Sequence, residues 1–326
     1  MRIAMVGCGA LGSFYGAKLC HAGHDVHFLL RSDYEAVWAR GVRIRSVHGD
    51  FHVQPKCART PEEIGPSELV LIGLKTTANR EFPRLLPPLV DAGSLIGTLQ
   101  NGLGNEEQLA ALFGPENILA GLCFVCLNRV EPGVIVHSAH GKIVLGEFQR
   151  QPLPRTHALA GTFREAGVSC EVCENLGVAH WLKLVWNIPF NGLGVAGAAG
   201  LEAVLRGSVP TDARIGPCLA TDTLLADFRW EALVRELMGE VIAAARTQGF
   251  AIPAAEVDHQ VERTRIMGAY RASTLIDFAR GFPLELDSLF REPLRQARAA
   301  GVATPRLAAL CAVLEELDAR RAAGKR

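Results

Sequence analysis

A lysine and two asparagines, Lys183, Asn187 and Asn191, stand four residues apart in the run HWLKLVWNIPFNGLG. That spacing places all three on one face of a helix. Their neighbours Trp181, Leu182, Leu184, Val185 and Trp186 are apolar. An ammonium and two amides in such surroundings are costly unless they serve something. The bland reading stays open: a helix edge where Lys183 reaches water and the asparagines bond neighbouring backbone. Pro189 lies inside the segment and predicts a kink, or a freed carbonyl near Val185.

A second constellation opens the chain. Gly7, Cys8, Gly9, Ala10, Leu11 and Gly12 form GxGxxG directly after a short apolar run and directly before a helical one. The mechanism of dinucleotide binding requires that context. Gly7 permits the tight turn, Gly9 lets backbone approach a pyrophosphate at the positive end of the helix, and Gly12 lets the helix pack on the strand. A merely glycine-rich turn is the alternative. The next strand, HDVHFLL, ends in Arg31 and Ser32 rather than in an acid. A guanidinium there can fork onto a 2′-phosphate, which predicts NADP(H) over NAD; an exposed surface arginine is the competing reading.

The elements that must position these groups alternate. Residues 2–7 read as a strand, followed by a helix to about residue 22 and a strand over 26–30. Residues 42–53 read as a hairpin turning at His48, Gly49 and Asp50. Apolar runs at 68–74, 94–99 and 118–127 read as buried parallel strands. Residues 134–145 read as an antiparallel pair closing the domain. The fold class expected is α/β, with an N-terminal Rossmann doubly wound parallel sheet. After about residue 175 the pattern is helical, with helices over 230–248, 269–279 and 305–323, a basic tail at Lys325 and Arg326, and a loop-like stretch at 207–222. The expected domains are 1–174 for NADP and 175–326 for substrate and catalysis.

The composition narrows the classes. Lysine plus arginine equals aspartate plus glutamate, 34 against 34, in 326 residues, which gives no field to attract nucleic acid or an anionic membrane. The charge-free run 184–201 is glycine-rich, with a proline and two asparagines, and fits a packed interior better than lipid. The N-terminus shows no leader pattern. Nine cysteines, an odd number, read as reduced thiols and point to the cytoplasm. Cys123 with Cys126 and Cys170 with Cys173 have CxxC spacing, but each pair sits in a strand-like run, so no metal site is expected. A small buried anionic ligand remains possible, because it needs only local charge; oligomeric state is open, a homodimer among the options.

Several motifs then occur in a recognisable order. GCGALG, Leu74-Lys75, QNGLGNEE at 100–107, WLKLVWNIPFN, and the S-x(11)-E segment from Ser273 to Glu285 resemble those of the ketopantoate reductase family. VHSAHGKIVLGE, with His137, Gly141 and Gly146, is similar to the family's HxxxGxxxxG hairpin. The resemblance covers nearly the whole chain. It implies NADPH-dependent reduction of 2-dehydropantoate to pantoate, on the route to pantothenate and coenzyme A. It also implies an all-helical C-terminal domain like that of 6-phosphogluconate dehydrogenase. By resemblance, Lys183 is the catalytic lysine, and Glu285 is the family acid near the nicotinamide, able to pair with that lysine. Asn187 and Asn191 hold the substrate, Ser273 binds its carboxylate, Asn101 bridges cofactor and substrate, and Lys75 faces the cofactor. Taken singly, Asn101-Gly102 is also an ordinary turn, Lys75 a strand end, Ser273 a self-bonded helix residue and Glu285 a solvated charge. The family's further substrate asparagine has no counterpart in AGAAGLEAV, 196–204. Two rivals therefore stay in view: a reductase of another 2-oxo or 3-hydroxy acid on this fold, and a non-catalytic NADP(H)-sensing protein.

Overall fold

The computed structural model describes residues 1–324; the expected tail at Lys325 and Arg326 lies outside the described residues. The chain divides into two compact units, Met1–Leu176 and the remainder from Gly177 onward.

The first unit runs β1 (Arg2–Val6), α1 (Ala10–His21), β2 (Asp25–Leu29), α2 (Tyr34–Arg40), β3 (Val42–Ser46), β4 (Phe51–Val53), β5 (Lys56–Ala58), α3 (Pro61–Ile64) and β6 (Leu69–Ile72). It continues with α4 (Phe82–Leu85), β7 (Leu95–Thr98), α5 (Asn105–Phe113), β8 (Ile118–Glu131), β9 (Val134–Glu147), α6 (Pro154–Glu165) and β10 (Cys170–Val172). One sheet has the order β4-β3-β9-β8-β7-β6-β1-β2-β5, with β10 paired to β9. β1 pairs in parallel with β2 on one side and β6 on the other, so the strand order reverses at β1. This is a Rossmann-like sheet, and ligands in such sheets lie beyond the carboxyl ends of the strands at the reversal. β1 and β6 are fully apolar runs because both faces are covered: Ile3, Met5, Leu69 and Leu71 pack with Phe14 and Phe28, while Ala4, Val6, Val70 and Ile72 pack with Ile96 and Phe82.

Residues 134–145 are not an antiparallel pair and contain no hairpin; they belong to the single strand β9, whose antiparallel partner is β8. The turn is Pro132-Gly133, with Gly133 at φ +76°. His140 and Gly141 take positive φ, 64° and 122°, inside the strand and look like a turn in sequence. What they serve is His137. Its buried ring meets the Ala139 and His140 carbonyls at 3.1 Å through Nε2, and Ser46 Oγ of β3 at 2.8 Å through Nδ1. Gly146 is small because Cys173 Sγ would lie 2.7 Å from any Cβ there. These features hold the sheet together.

The second unit is helical: α7 (Leu176–Ala196), α8 (Leu201–Arg206), α9 (Thr221–Ala226), α10 (Phe228–Thr247), α11 (Glu256–Arg265), α12 (Ser273–Ala279), α13 (Glu292–Ala299) and α14 (Pro305–Ala322). The helix expected over 269–279 begins only at Ser273. Thr221 holds the chain before it extended: its Oγ donates to the Gly268 carbonyl at 2.7 Å, and its backbone N–H donates to the Tyr270 carbonyl at 3.1 Å. The 207–222 stretch, apart from the start of α9, is irregular but pinned. Arg320 donates to the carbonyls of Val209 and Pro210, Gly216 N–H donates to the Ala198 carbonyl at 2.7 Å, and Leu219 N–H donates to that of Gly194 at 2.8 Å. Among the described residues, no helix is long and apolar enough to cross a membrane.

Candidate active site

In the first unit the glycine loop closes the gap between β1 and α1. Gly7 has φ +95°, and a Cβ there would stand 2.3 Å from Leu74 N. A Cβ on Gly12 would stand 2.2 Å from the Gly7 carbonyl oxygen, and one on Gly73 3.0 Å from Gly12 Cα. These glycines interlock, and each is small because protein backbone presses on it. Gly9 differs: a Cβ there meets nothing within 4 Å. It is exposed, and as the N-cap residue of α1 it brings no capping side chain, nor is any acid present in the first turn. The helix end is therefore left for an anion, and Gly9 keeps the approach open. This chain fits the pyrophosphate of a dinucleotide on that observation. Cys8 turns inward, with its thiol donating to the Met5 carbonyl at 3.4 Å. Burial, then Cys57 and Asp33, push its pKa well up, so it is inert as a nucleophile.

Arg31, Lys75 and Asn101 follow β2, β6 and β7, which are parallel to β1, so the structure brings all three to the carboxyl edge of the sheet with the glycine loop. Arg31 and Lys75 are exposed. Arg31→Ala is expected to raise the Kd for NADPH roughly thirtyfold, the value of a charge-assisted pair of about 2 kcal/mol, and to leave NADH binding nearly unchanged. Fluorescence titration of each nucleotide checks this; an unaltered preference would assign Arg31 to the bare surface.

Sequence reasoning missed the groups that hold these loops. Gln100 Nε2 donates to the Leu74 carbonyl at 3.0 Å and to Asn79 Oδ1 at 2.8 Å. Asn79 Nδ2 donates to Asn105 Oδ1 at 2.9 Å, and Asn105 Nδ2 to the Asn101 carbonyl at 3.1 Å. Thr98 donates to Gln100 Oε1 at 3.0 Å. All four side chains are buried. The chain of amides thus ties the residue before Lys75 to Asn101 itself. Gly102 and Gly104, at φ +87° and +86°, let the backbone turn from β7 into α5 so that Asn105 points inward. Asn79→Leu strands a donor on Gln100 and an acceptor on Asn105. We expect about 2 kcal/mol lower stability by denaturant unfolding, with an NADPH Kd raised severalfold. The clustering of Thr98, Gln100 and Asn105 around the NGLG turn was the available signal; Asn79 had none.

In the second unit, α7 carries Lys183, Asn187 and Asn191. Asn187 and Asn191 are buried and Lys183 is half-buried. Pro189 lies inside the helix, so the Val185 carbonyl loses its usual donor four residues on. The structure brings Asn191 and Ser273 together. Asn191 Oδ1 accepts the backbone N–H of Thr274 at 3.0 Å and lies 3.5 Å from Ser273 Oγ. That fixes the Asn191 amide group, leaving its NH2 to meet a ligand. Trp186 is set by a bond from Nε1 to Thr264 Oγ at 2.9 Å and by the rings of Phe190 and Tyr270. Glu285 is buried and lies two residues before a π-helical turn, Asp287–Arg291, a distortion frequent at functional sites. The stretch without the expected asparagine is filled by hydrocarbon: a Cβ on Gly197 would stand 2.4 Å from Leu219 Cδ1. Among the described residues, no group of three His, Cys, Asp or Glu is placed to hold a metal ion.

A glycine loop at the reversal of a doubly wound sheet, joined in sequence to a helical unit, is the architecture of a dinucleotide-dependent oxidoreductase. Residues 3–150 match the family model described as ketopantoate reductase PanE/ApbA, and residues 213–318 match the ketopantoate reductase PanE/ApbA C-terminal model. A 2-dehydropantoate 2-reductase of Nostoc sp. is 39% identical over 99% of this chain and 97% of its own length. The crystal structure of 2-dehydropantoate 2-reductase from Geobacter metallireducens is 47% identical, with a TM-score of 0.88, covering 97% of this chain and 99% of that one. The enzyme of that description from Methylococcus capsulatus is 34% identical with a TM-score of 0.85, covering 98% of both chains. The chain belongs to the ketopantoate reductase family. It is an oxidoreductase acting on a CH–OH group, and NADP(H) is its cofactor.

Proposed function

We propose that this protein reduces 2-dehydropantoate to pantoate with NADPH, on the route to pantothenate and coenzyme A. Residues 1–174 hold the cofactor and residues 175–326 the substrate. The observation that carries the reading is the row Lys183, Asn187 and Asn191 along α7, with Ser273 brought to Asn191. NADPH supplies a hydride, two electrons and one hydrogen, to the ketone carbon. The ketone oxygen then gains negative charge, which the Lys183 ammonium stabilises and quenches by giving up one proton, to be restored from water. Asn187 and the Asn191 NH2 hold the polar groups of the substrate, and Ser273 Oγ donates to its carboxylate. Glu285 orients the Lys183 ammonium from the nicotinamide end. Gly7, Cys8, Gly9, Ala10, Leu11 and Gly12 cradle the pyrophosphate, Arg31 meets the 2′-phosphate, Lys75 faces the cofactor, and Asn101 bridges cofactor and substrate. The cytoplasm is the setting; free thiols at Cys8, Cys20, Cys57, Cys170, Cys173 and Cys311 support a reducing compartment.

Incubation with NADPH and 2-dehydropantoate tests the reading: a product two hydrogens heavier, identical to pantoate and formed one per NADPH consumed, is expected. NADPH binding without any turnover would favour the sensing protein. One observation favours a second acid as substrate: Leu219 fills the region near 196–204 where the family's further asparagine is missing. A hydrocarbon lining there would suit a branched 2-oxo acid with fewer polar groups.

A further inference from the structure

The end of β2 carries one unengaged cation and one fully engaged acid. Among the described residues, the Arg31 guanidinium has no carboxylate partner, and it is exposed. Asp33, two residues on, is only 6% exposed. Its Oδ1 accepts Arg129 Nη2 at 3.1 Å and the Ser32 hydroxyl at 2.9 Å. Arg129 comes from β8, with β7, β6 and β1 between that strand and β2 in the sheet. Only the first residues of β8, Ile118–Ala120, pair with β7; the rest of the strand runs on with β9, which pairs with β3 just after α2. That course carries Arg129 back to the start of α2. The other acid at this rim, Glu35, is taken by Arg59, whose guanidinium also stacks 3.8 Å over the Tyr34 ring. Asp33 lies near enough to the glycine loop to raise the Cys8 thiol, after burial and Cys57 have done so. A carboxylate at the end of this strand suits a ribose 2′-hydroxyl and repels a 2′-phosphate.

We propose that Arg129 determines cofactor selectivity: by pairing with Asp33 it neutralises the buried carboxylate beside Arg31, so that the site accepts a 2′-phosphate and disfavours the bare ribose. The inference rests on the NADP(H) reading above and adds to it a residue 96 positions from the acid that it controls. Ser32 acts in the same sense by turning Asp33 Oδ1 away from solvent. Arg129 is a positioning and charge-compensating residue; it is not assigned contact with the nucleotide.

The test is direct binding of NADPH and of NADH by nucleotide fluorescence, without substrate, beside thermal unfolding. Arg129→Gln should reduce the ratio of NADH to NADPH dissociation constants by at least about tenfold. Arg129→Lys, which keeps the charge, should retain most of the ratio. Asp33→Asn combined with Arg129→Gln should restore it, because no carboxylate then needs compensation. Asp33→Asn alone should bind NADPH as well as the parent does, and it serves if Arg129→Gln does not fold. Two results would overturn the proposal: both nucleotides weakened equally in Arg129→Gln, or a double variant as unselective as the single one. A parent protein that binds neither nucleotide overturns the cofactor reading along with it.

Discussion

Lys183→Ala is expected to lower kcat for NADPH oxidation by about a thousandfold, with the KM for the 2-oxo acid changed severalfold at most. The asymmetry follows from when the ammonium acts. A neutral ketone gains little from a nearby cation, whereas the alkoxide formed as hydride arrives gains a full charge interaction and a proton. Lys183 stands on the same face of α7 as two buried amides and is itself half-buried, so its charge acts where water screens it poorly. NADPH affinity should change little, since the glycine loop, Arg31, Lys75 and Asn101 belong to the first unit. Stopped-assay kinetics of parent and variant check both numbers, and equal kcat values would remove Lys183 from the chemistry. Glu285→Gln should fall between the two proteins, because it weakens the orientation of the ammonium without removing it.

The second large effect separates fold from ligand within one loop. Gly12→Ala puts a methyl 2.2 Å from the Gly7 carbonyl oxygen, a backbone atom that cannot yield without moving the β1–α1 connection. It should lower the melting temperature and abolish measurable NADPH binding together. Gly9→Ala puts its methyl in open space. It should leave the melting temperature unchanged, or raise it slightly by restricting the unfolded chain, yet weaken NADPH by at least about a hundredfold, because only a bound phosphate competes for that volume. Calorimetry beside nucleotide titration gives both readouts. A Gly9→Ala protein that binds NADPH normally would show that the pyrophosphate does not lie against this helix end.

The parts of this fold that were legible share a cause. β1, β6 and β7 are buried on both faces, so their sequences are near-continuous apolar runs, and the glycine loop sits where strand and helix patterns meet. The β8–β9 connection was misplaced because Ala139-His140-Gly141 has the composition of a turn, while those positive φ values serve to wrap backbone carbonyls around His137. α11 was invisible for a different reason. EVDHQVERTR buries only Gln260, Val261 and Thr264, too few apolar residues to mark a face. Helical spacing singles out Lys183, Asn187 and Asn191 in the sequence, and resemblance alone singles out Ser273 and Glu285. The contacts that tie together the loops at the sheet edge were not legible. Asn79 reaches Asn105 across 26 residues, and Arg129 reaches Asp33 across 96, distances at which no local pattern carries information. Taken singly, Ser273 is open in sequence to being a self-bonded helix residue, but its hydroxyl lies 3.5 Å from Asn191 Oδ1 on another helix.

The decisive measurement is the specificity constant for 2-dehydropantoate beside those for other 2-oxo acids, with NADPH as donor. The kcat/KM for 2-dehydropantoate should exceed that for pyruvate and for 2-oxoisovalerate by at least about a hundredfold, since a site that hydrogen-bonds a substrate hydroxyl strongly rejects an analogue lacking it. Comparable or faster turnover of 2-oxoisovalerate, which lacks only the hydroxyl-bearing end, would contradict the substrate assignment and point to the Leu219-filled region around 196–204 as the cause.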